Sequence, residues 1–393
     1  MEKRKNIVSV GERGSITIFV LVAVIFFLAI AFTAYAGSIS KTQTQEKEFE
    51  KIKMNYQNSY NDEQIRELYN DVVYGDKTVL EYAIGAKPTT TATIIEADET
   101  KGIVMVDDTG NEWVWVEVPK EVFATATSAT DYDAIKADLI AYATDYRGGW
   151  SDTYYSGCGI ASSDEYTAMY NKMLSSVYTN KGFYISRYEA GIEGSDTDIS
   201  LARTLRAEIT DLSPKAVSKP DMIPYNYVYC SDAQTLASSM ATGSKTSSLM
   251  FGIQWDLVCK YLEVNGNWDT TTNTASYYIK TNSTSWGNYS DSTFTINSAN
   301  AKKYSAWSSI TGEKSGSVLL TTGASEYTNK MNIYDFAGNE WEWTLEKTTD
   351  TSIPCAFRGG AFSNAGSSYP ASYRGSLSTT YSYYNVGFRP ALY

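Results

Sequence analysis

The sequence predicts an α+β domain carried behind an N-terminal transmembrane helix and a helical stalk. An uninterrupted apolar run, Ile16 to Ala36, follows a short basic segment. Past an amphipathic stripe, short segments that alternate apolar and polar residues begin near Lys87. Two segments among them place apolar residues at three-to-four-residue steps. These observations divide the chain into a basic segment (1–14), a membrane helix (15–37), a stalk (38–86) and an exported domain (87–393).

The basic segment carries Lys3, Arg4, Lys5 and Arg13. About 20 helical residues, rising 1.5 Å each, cover a hydrocarbon core of about 30 Å. A positive flank of this kind keeps the N-terminus in the cytoplasm. The expectation is therefore a single-pass cell-membrane protein with its C-terminal domain outside. Two other readings stay open. "AYA" (Ala34 to Ala36) before Gly37 fits cleavage of a secretory signal, and Gly14 before a long apolar helix resembles a type IV pilin-like leader. That family has a glutamate at the fifth mature position, where this chain has Phe19. From Phe49 through Ile52, Tyr56, Tyr60, Ile65 and Leu68 to Val72, the stripe is that of a helix.

In the domain, "TTTATIIEAD" and "GIVMVDD" read as strands, and "TGN" turns the chain into "EWVWVEVP" (Glu112 to Pro119). Alternation there sets Trp113 and Trp115 against Val114 and Val116. "GFYISRYEAG" (Gly182 to Gly191) reads as a half-buried strand. "YCSDAQTLASSM" reads as a helix capped by Ser231, and "QWDLVCKYLE" (Gln254 to Glu263) as a second with Trp255, Val258, Cys259 and Leu262 inward. Residues 264–308, rich in Thr, Ser and Asn, read as long surface loops.

Composition narrows function. The net charge is −12, from 33 Lys+Arg against 45 Asp+Glu, which argues against a nucleic-acid partner. Histidine is absent, and with it go His-based acid/base catalysis, Ser-His and Cys-His nucleophiles and imidazole metal sites. Cys158, Cys230, Cys259 and Cys355 are widely spaced with no CxxC, so a metal knuckle is not expected. Export would allow disulfides, and free buried thiols fit equally.

Five strings in order, "WVWVEVP", "GFYISRYEAG", "SLMFGIQWDLVCKYLE", "YDFAGNEWEWT" and "RGG…NVGFRP", resemble the formylglycine-generating enzyme (sulfatase-modifying factor) family over residues 100–393. The resemblance implies a variant of the C-type-lectin fold. It further implies a calcium site, with side-chain oxygens from Asp335 and Glu342 and backbone oxygens from Gly338 and Glu340. Four oxygens fall short of the six to eight that calcium takes. In "GNEWEW", Trp341 and Trp343 alternate with Glu340 and Glu342; Gly359 and Gly360 permit a sharp exit from a strand; Arg358 and Arg389 are expected to tie loops to carboxylates.

The family's oxidases carry two copper-binding cysteines after "RGG", and residues 361–385 contain none. Copper and oxidase activity are therefore not expected. What fills the segment is Ser363, Asn364, Ser367, Ser368, Tyr369, Ser372, Tyr373, Ser376, Ser378, Tyr381, Tyr383 and Tyr384. Tyrosine offers large contacts at low entropic cost, and Ser and Asn supply adaptable hydrogen bonds. These twelve are the expected ligand-binding residues, for a protein or glycan on another surface. The pattern also resembles the variable proteins of diversity-generating retroelements, which randomise adenine-containing codons near this end. Alternatives are a minor pilin-like subunit assembled into a pilus, and an enzyme of unrecognised chemistry.

Overall fold

The computed structural model describes residues 77–203 and 212–393. Thr78–Tyr393 form one compact unit. Residues 1–14 and 15–37, and the stalk as far as 76, lie outside the described residues. Among the described residues no helix is long and apolar enough to cross a membrane. The single-pass membrane localisation expected from residues 15–37 is corrected accordingly.

The unit opens with helix α1 (Val79–Gly85), at the end of the segment read as stalk. A capping box starts it: Glu81 N–H donates to Thr78 Oγ1 at 3.2 Å, and Thr78 N–H to Glu81 Oε2 at 2.8 Å. The Tyr184 hydroxyl donates to Ala83 O at 2.7 Å, which fastens this helix to the domain.

Strands β1 (Thr93–Glu96), β2 (Val104–Val106) and β3 (Glu112–Glu117) follow. Helices α2 (Tyr132–Tyr142) and α3 (Ser163–Asn180) separate them from β4 (Gly182–Ser186). Ser162 caps α3, accepting from Glu165 N–H at 3.1 Å, and Lys181 ends it in the left-handed conformation, φ 59°. Next come α4 (Cys230–Ser239), β5 (Ser247–Leu249), α5 (Gly252–Asn265) and the short α6 (Ala275–Lys280). Strands β6 (Trp341–Lys347), β7 (Cys355–Arg358), β8 (Arg374–Leu377), β9 (Val386–Phe388) and β10 (Pro390–Leu392) complete two sheets.

The six-stranded sheet runs β1-β2-β3-β4-β10-β5, and the four-stranded sheet β8-β7-β6-β9. All pairs are antiparallel except β6 with β9, where Trp341 faces Val386 and Trp343 faces Phe388 in parallel. The chain thus ends inside the first sheet, with Ala391 and Leu392 paired to both β4 and β5.

Alternation along β3 is as expected, but Trp113, Val114, Trp115 and Val116 are all buried. A sheet covered on both faces does this. β4 is buried along its whole length for the same reason. α4 begins two residues earlier than a Ser231 cap would place it, with Tyr229 at its N-cap. α5 is buried nearly all round, and its first two amides find a partner in Asp152, at 2.6 Å from Gly252 N and 3.2 Å from Ile253 N. All four cysteines are free and buried.

Candidate functional site: a tyrosine surface on an ion-paired frame

The segment singled out in the sequence runs from β7 through the Gly359–Gly360 exit to β9. Both glycines have positive φ, 92° and 78°. A Cβ on Gly360 would come within 2.5 Å of Tyr369 O and 2.7 Å of the Tyr289 ring. Only a residue without a side chain lets this loop close over the frame.

Three arginines and three carboxylates are packed beneath the loop. Arg358 is fully buried and reaches Glu346 Oε2 at 3.1 Å and Asp256 Oδ1 at 3.0 Å. Arg374, from β8, meets the same two groups, with Nε 3.0 Å from Glu346 Oε1 and Nη2 2.5 Å from Asp256 Oδ1. Arg147 adds contacts to Asp256 at 3.0 Å, Asp152 at 3.2 Å and Glu346 at 3.4 Å. Burial pushes the Glu346 carboxyl up, and Arg358, Arg374 and Arg147 together outweigh it, holding the group below the usual range. Charges balance within this cluster. Losing one member would leave a buried charge uncompensated.

The loop backbone is tied down as well. Trp255 Nε1 donates to Ala371 O at 3.1 Å, Ala371 N–H to Ser283 Oγ at 2.9 Å, and Gly366 N–H to Asp291 Oδ1 at 3.0 Å. Arg358 donates to the carbonyls of Ser372 and Tyr373 at 3.2 and 3.1 Å.

None of the twelve expected binding residues is buried. Tyr373 and Tyr383 are the most open tyrosines among them, 37% and 45% exposed. The rings gather in two groups. Tyr369 and Tyr373 lie 4.9 Å apart, centroid to centroid, and both contact the Trp341 indole, at 5.5 and 5.8 Å. Tyr383 and Tyr384 lie 4.3 Å apart, with Tyr381 at 6.1 Å from Tyr383. Ser367 and Ser368 are exposed beside the first group's Tyr369. Asn364 is partly committed, since its Oδ1 accepts from Ala361 N–H at 3.1 Å. Ser376 sits on edge strand β8 and Ser378 in the turn after it, where its Oγ accepts from Thr380 N–H at 3.3 Å.

Sequence reading missed the neighbours that extend the second group. Tyr304 stacks on Tyr384 at 6.0 Å with a 9° interplanar angle, and Trp307 meets Tyr304 edge-on at 5.6 Å. Ser305, Ala306 and Trp307 all have positive φ, 87°, 63° and 46°. Tyr227 N–H donates to Tyr383 O at 3.1 Å, and Asn226 Nδ2 to Tyr384 O at 2.8 Å. Scattered aromatics in residues 264–308 were the only trace of this in the sequence.

Two of the four groups expected to hold calcium already have protein partners. Both Glu342 oxygens accept from Arg389, with Nε at 3.1 and 3.2 Å and Nη2 at 2.9 Å. Asp335 Oδ2 accepts from Gly323 N–H at 2.8 Å. The Glu340 carboxylate is buried, and it is the residue's backbone oxygen that the resemblance assigned to the ion. Among the described residues no group of three or more acidic or cysteine side chains is arranged to take a metal. Cys230 and Cys355 lie together in the core. The Cys355 contact and then burial push the Cys230 thiol well up, away from the thiolate that a reactive cysteine needs.

Fold and surface together describe a mixed helix-and-sheet domain that displays polar aromatic loops from a rigid frame. Residues 163–392 match the sulfatase-modifying factor enzyme 1-like domain. That is more than half of the chain, which belongs to this family. Among solved structures, Treponema denticola variable protein 1 is similar at 14% identity, over 74% of this chain and 86% of that one, with a TM-score of 0.21. No curated protein matches the chain.

Proposed function

We propose that this chain is a ligand-binding display protein. Its family frame carries a solvent-facing Tyr/Ser/Asn surface in place of oxidase chemistry, and that surface is the diversified segment of a retroelement variable protein. One observation carries the reading: the backbone of residues 361–374 is pinned to a buried ion-pair cluster, while the side chains between the pins reach solvent. Substitution at such positions changes what is recognised at little cost to folding. The absence of cysteine from residues 361–385 leaves no thiol there for copper-dependent oxidation.

The ligand is a protein or glycan on another surface. Rigid tyrosines lose little entropy on contact, and the neighbouring serines can re-aim their hydroxyls. Sequencing this coding segment across isolates tests the reading. Substitutions should concentrate at the twelve named positions and spare Arg358, Arg374 and the "GFRPAL" end. Substitutions spread evenly over the domain, together with a locus lacking a reverse transcriptase and a near-copy of the segment, would overturn it.

A further inference from the structure

A second concavity lies on α2 and α3, built from residues that the tyrosine surface does not use. A cavity of about 240 Å³ has Asp152, Tyr166, Tyr170 and Leu174 as its buried lining, with Tyr132 and Tyr154 half-buried around it. Tyr132 and Asn171 also line an open groove of about 660 Å³ along α3, so the two form one trough. At about 1.5 Å per residue, Ser163 to Asn180 extends about 25 Å, the length of several sugar rings.

The trough's chemistry is particular. Hydroxyl and amide side chains supply most of its polar lining, Ser163, Thr167 and Asn171 in the cavity and Ser175, Ser176 and Asn180 in the groove. The Tyr170 hydroxyl is buried without a hydrogen-bond partner. Three cations, Lys136, Lys172 and Lys245, line the trough of a chain whose net charge is −12. Lys136 Nζ lies 5.9 Å from the Tyr170 ring centroid, and Lys172 Nζ donates to Thr246 Oγ1 at 2.5 Å. Among the described residues none of the three forms an ion pair with a carboxylate. Of the two lining carboxylates, Asp152 is occupied by the Gly252 and Ile253 amides and Arg147, which leaves Asp133 alone against three ammonium groups. Burial pulls the Lys245 amine down and the neighbouring Lys172 adds to it, a repulsion that an anion would relieve.

We propose that this trough binds an acidic oligosaccharide, its carboxylates or sulfates on the lysines, its hydroxyls on the Ser/Thr/Asn lining and a ring face on Tyr132 or Tyr154. Hydroxyl-rich lining with aromatic rims favours a saccharide over an acidic peptide, because each sugar hydroxyl both donates and accepts. The proposal does not rest on the tyrosine surface.

Calorimetry on the full chain tests it, with a short oligogalacturonate as probe and malto-oligosaccharide and oligoglutamate of equal length as controls. Oligogalacturonate should bind at least tenfold more tightly than either control, and its affinity should fall as salt rises. The Lys172→Gln/Lys245→Gln variant should bind at least tenfold more weakly. If that variant fails to fold, exposed Lys172→Gln alone should bind at least threefold more weakly. Tyr373→Ala/Tyr383→Ala should leave the affinity unchanged. No binding, equal binding of either control, an unaffected lysine variant, or loss with the tyrosine variant would each overturn the proposal.

Discussion

Arg374 Nε donates to both carboxylate oxygens of Glu346, at 3.0 and 3.2 Å, from inside the segment whose neighbours face solvent. Arg374 is therefore one of the ties that join the display loop to the core. Its position, one residue after exposed Tyr373, means that the chain alternates between anchoring and presenting.

Arg374→Met removes one of three guanidinium groups from a balanced cluster and leaves Asp256 and Glu346 under-compensated. The expected loss is about 3–5 kcal/mol of folding stability, measured by denaturant titration. A loss under about 1 kcal/mol would mean that the cluster does not hold the loop.

Trp343 and Tyr383 should respond oppositely to truncation. Trp343 is completely buried, and its Nε1 donates to Val228 O at 3.0 Å. Trp343→Ala is expected to cost about 3–5 kcal/mol. Tyr383 is 45% exposed, and Tyr383→Ala should stay within about 1 kcal/mol of wild type. Paired thermal melts check both values.

Much of this frame was legible in the sequence, because tryptophan and glycine strings mark positions with few alternatives. β3, β4, α5 and β6 lie where alternation and helical spacing put them. Three helices escaped: α2, α3 and the short α6, which lies in the stretch read as surface loops. The buried stripe of α3 is built from Tyr166, Tyr170, Met173, Leu174 and Val177, and two tyrosines in a polar stretch are a weak periodic signal. Arg358 could be read as an anchor, but Asp256, 102 residues away on an otherwise apolar helix face, could not be named as its partner. Tyr227 and Tyr304 join the display surface only through tertiary contacts, which no local pattern encodes.

Near Arg389 the buried charge is uneven, with carboxyls from Glu189, Asp335, Glu340 and Glu342 around one guanidinium. Burial pushes the Glu189 and Glu340 carboxyls well above the ordinary range, and neighbouring carboxylates add to the shift. The folded chain then holds protons that an unfolded glutamate, of pKa about 4.3, has released. Their contribution is complete below that value and is lost as the pH rises through the folded-state values. Stability should therefore decline on the alkaline side. Glu340→Gln should flatten the decline and raise the Tm at pH ~9 by about 2–4 °C, the shift that about 1 kcal/mol produces in a large domain. An unchanged slope would count against this reading.

With Glu342 engaged by Arg389, calcium would have to displace a guanidinium to use the "DFAGNEWE" turn. Melts with millimolar calcium and with chelator should coincide within about 1 °C. A calcium-dependent rise of several degrees would show that Arg389 yields its carboxylate to the ion, since a ligand that binds only the folded state raises its stability.

The most direct measurement is the folded fraction of a library randomised at Ser363, Ser367, Ser368, Tyr369, Tyr373, Tyr381, Tyr383 and Tyr384, scored by protease resistance. If these side chains present and do not support, most members should resist protease as the wild type does, and selection should recover binders to unrelated protein or glycan targets. A parallel library at Asp256, Glu346, Arg358 and Arg374 should be almost wholly unfolded. Widespread unfolding in the first library would contradict the claim that a rigid ion-paired frame carries an interchangeable tyrosine surface.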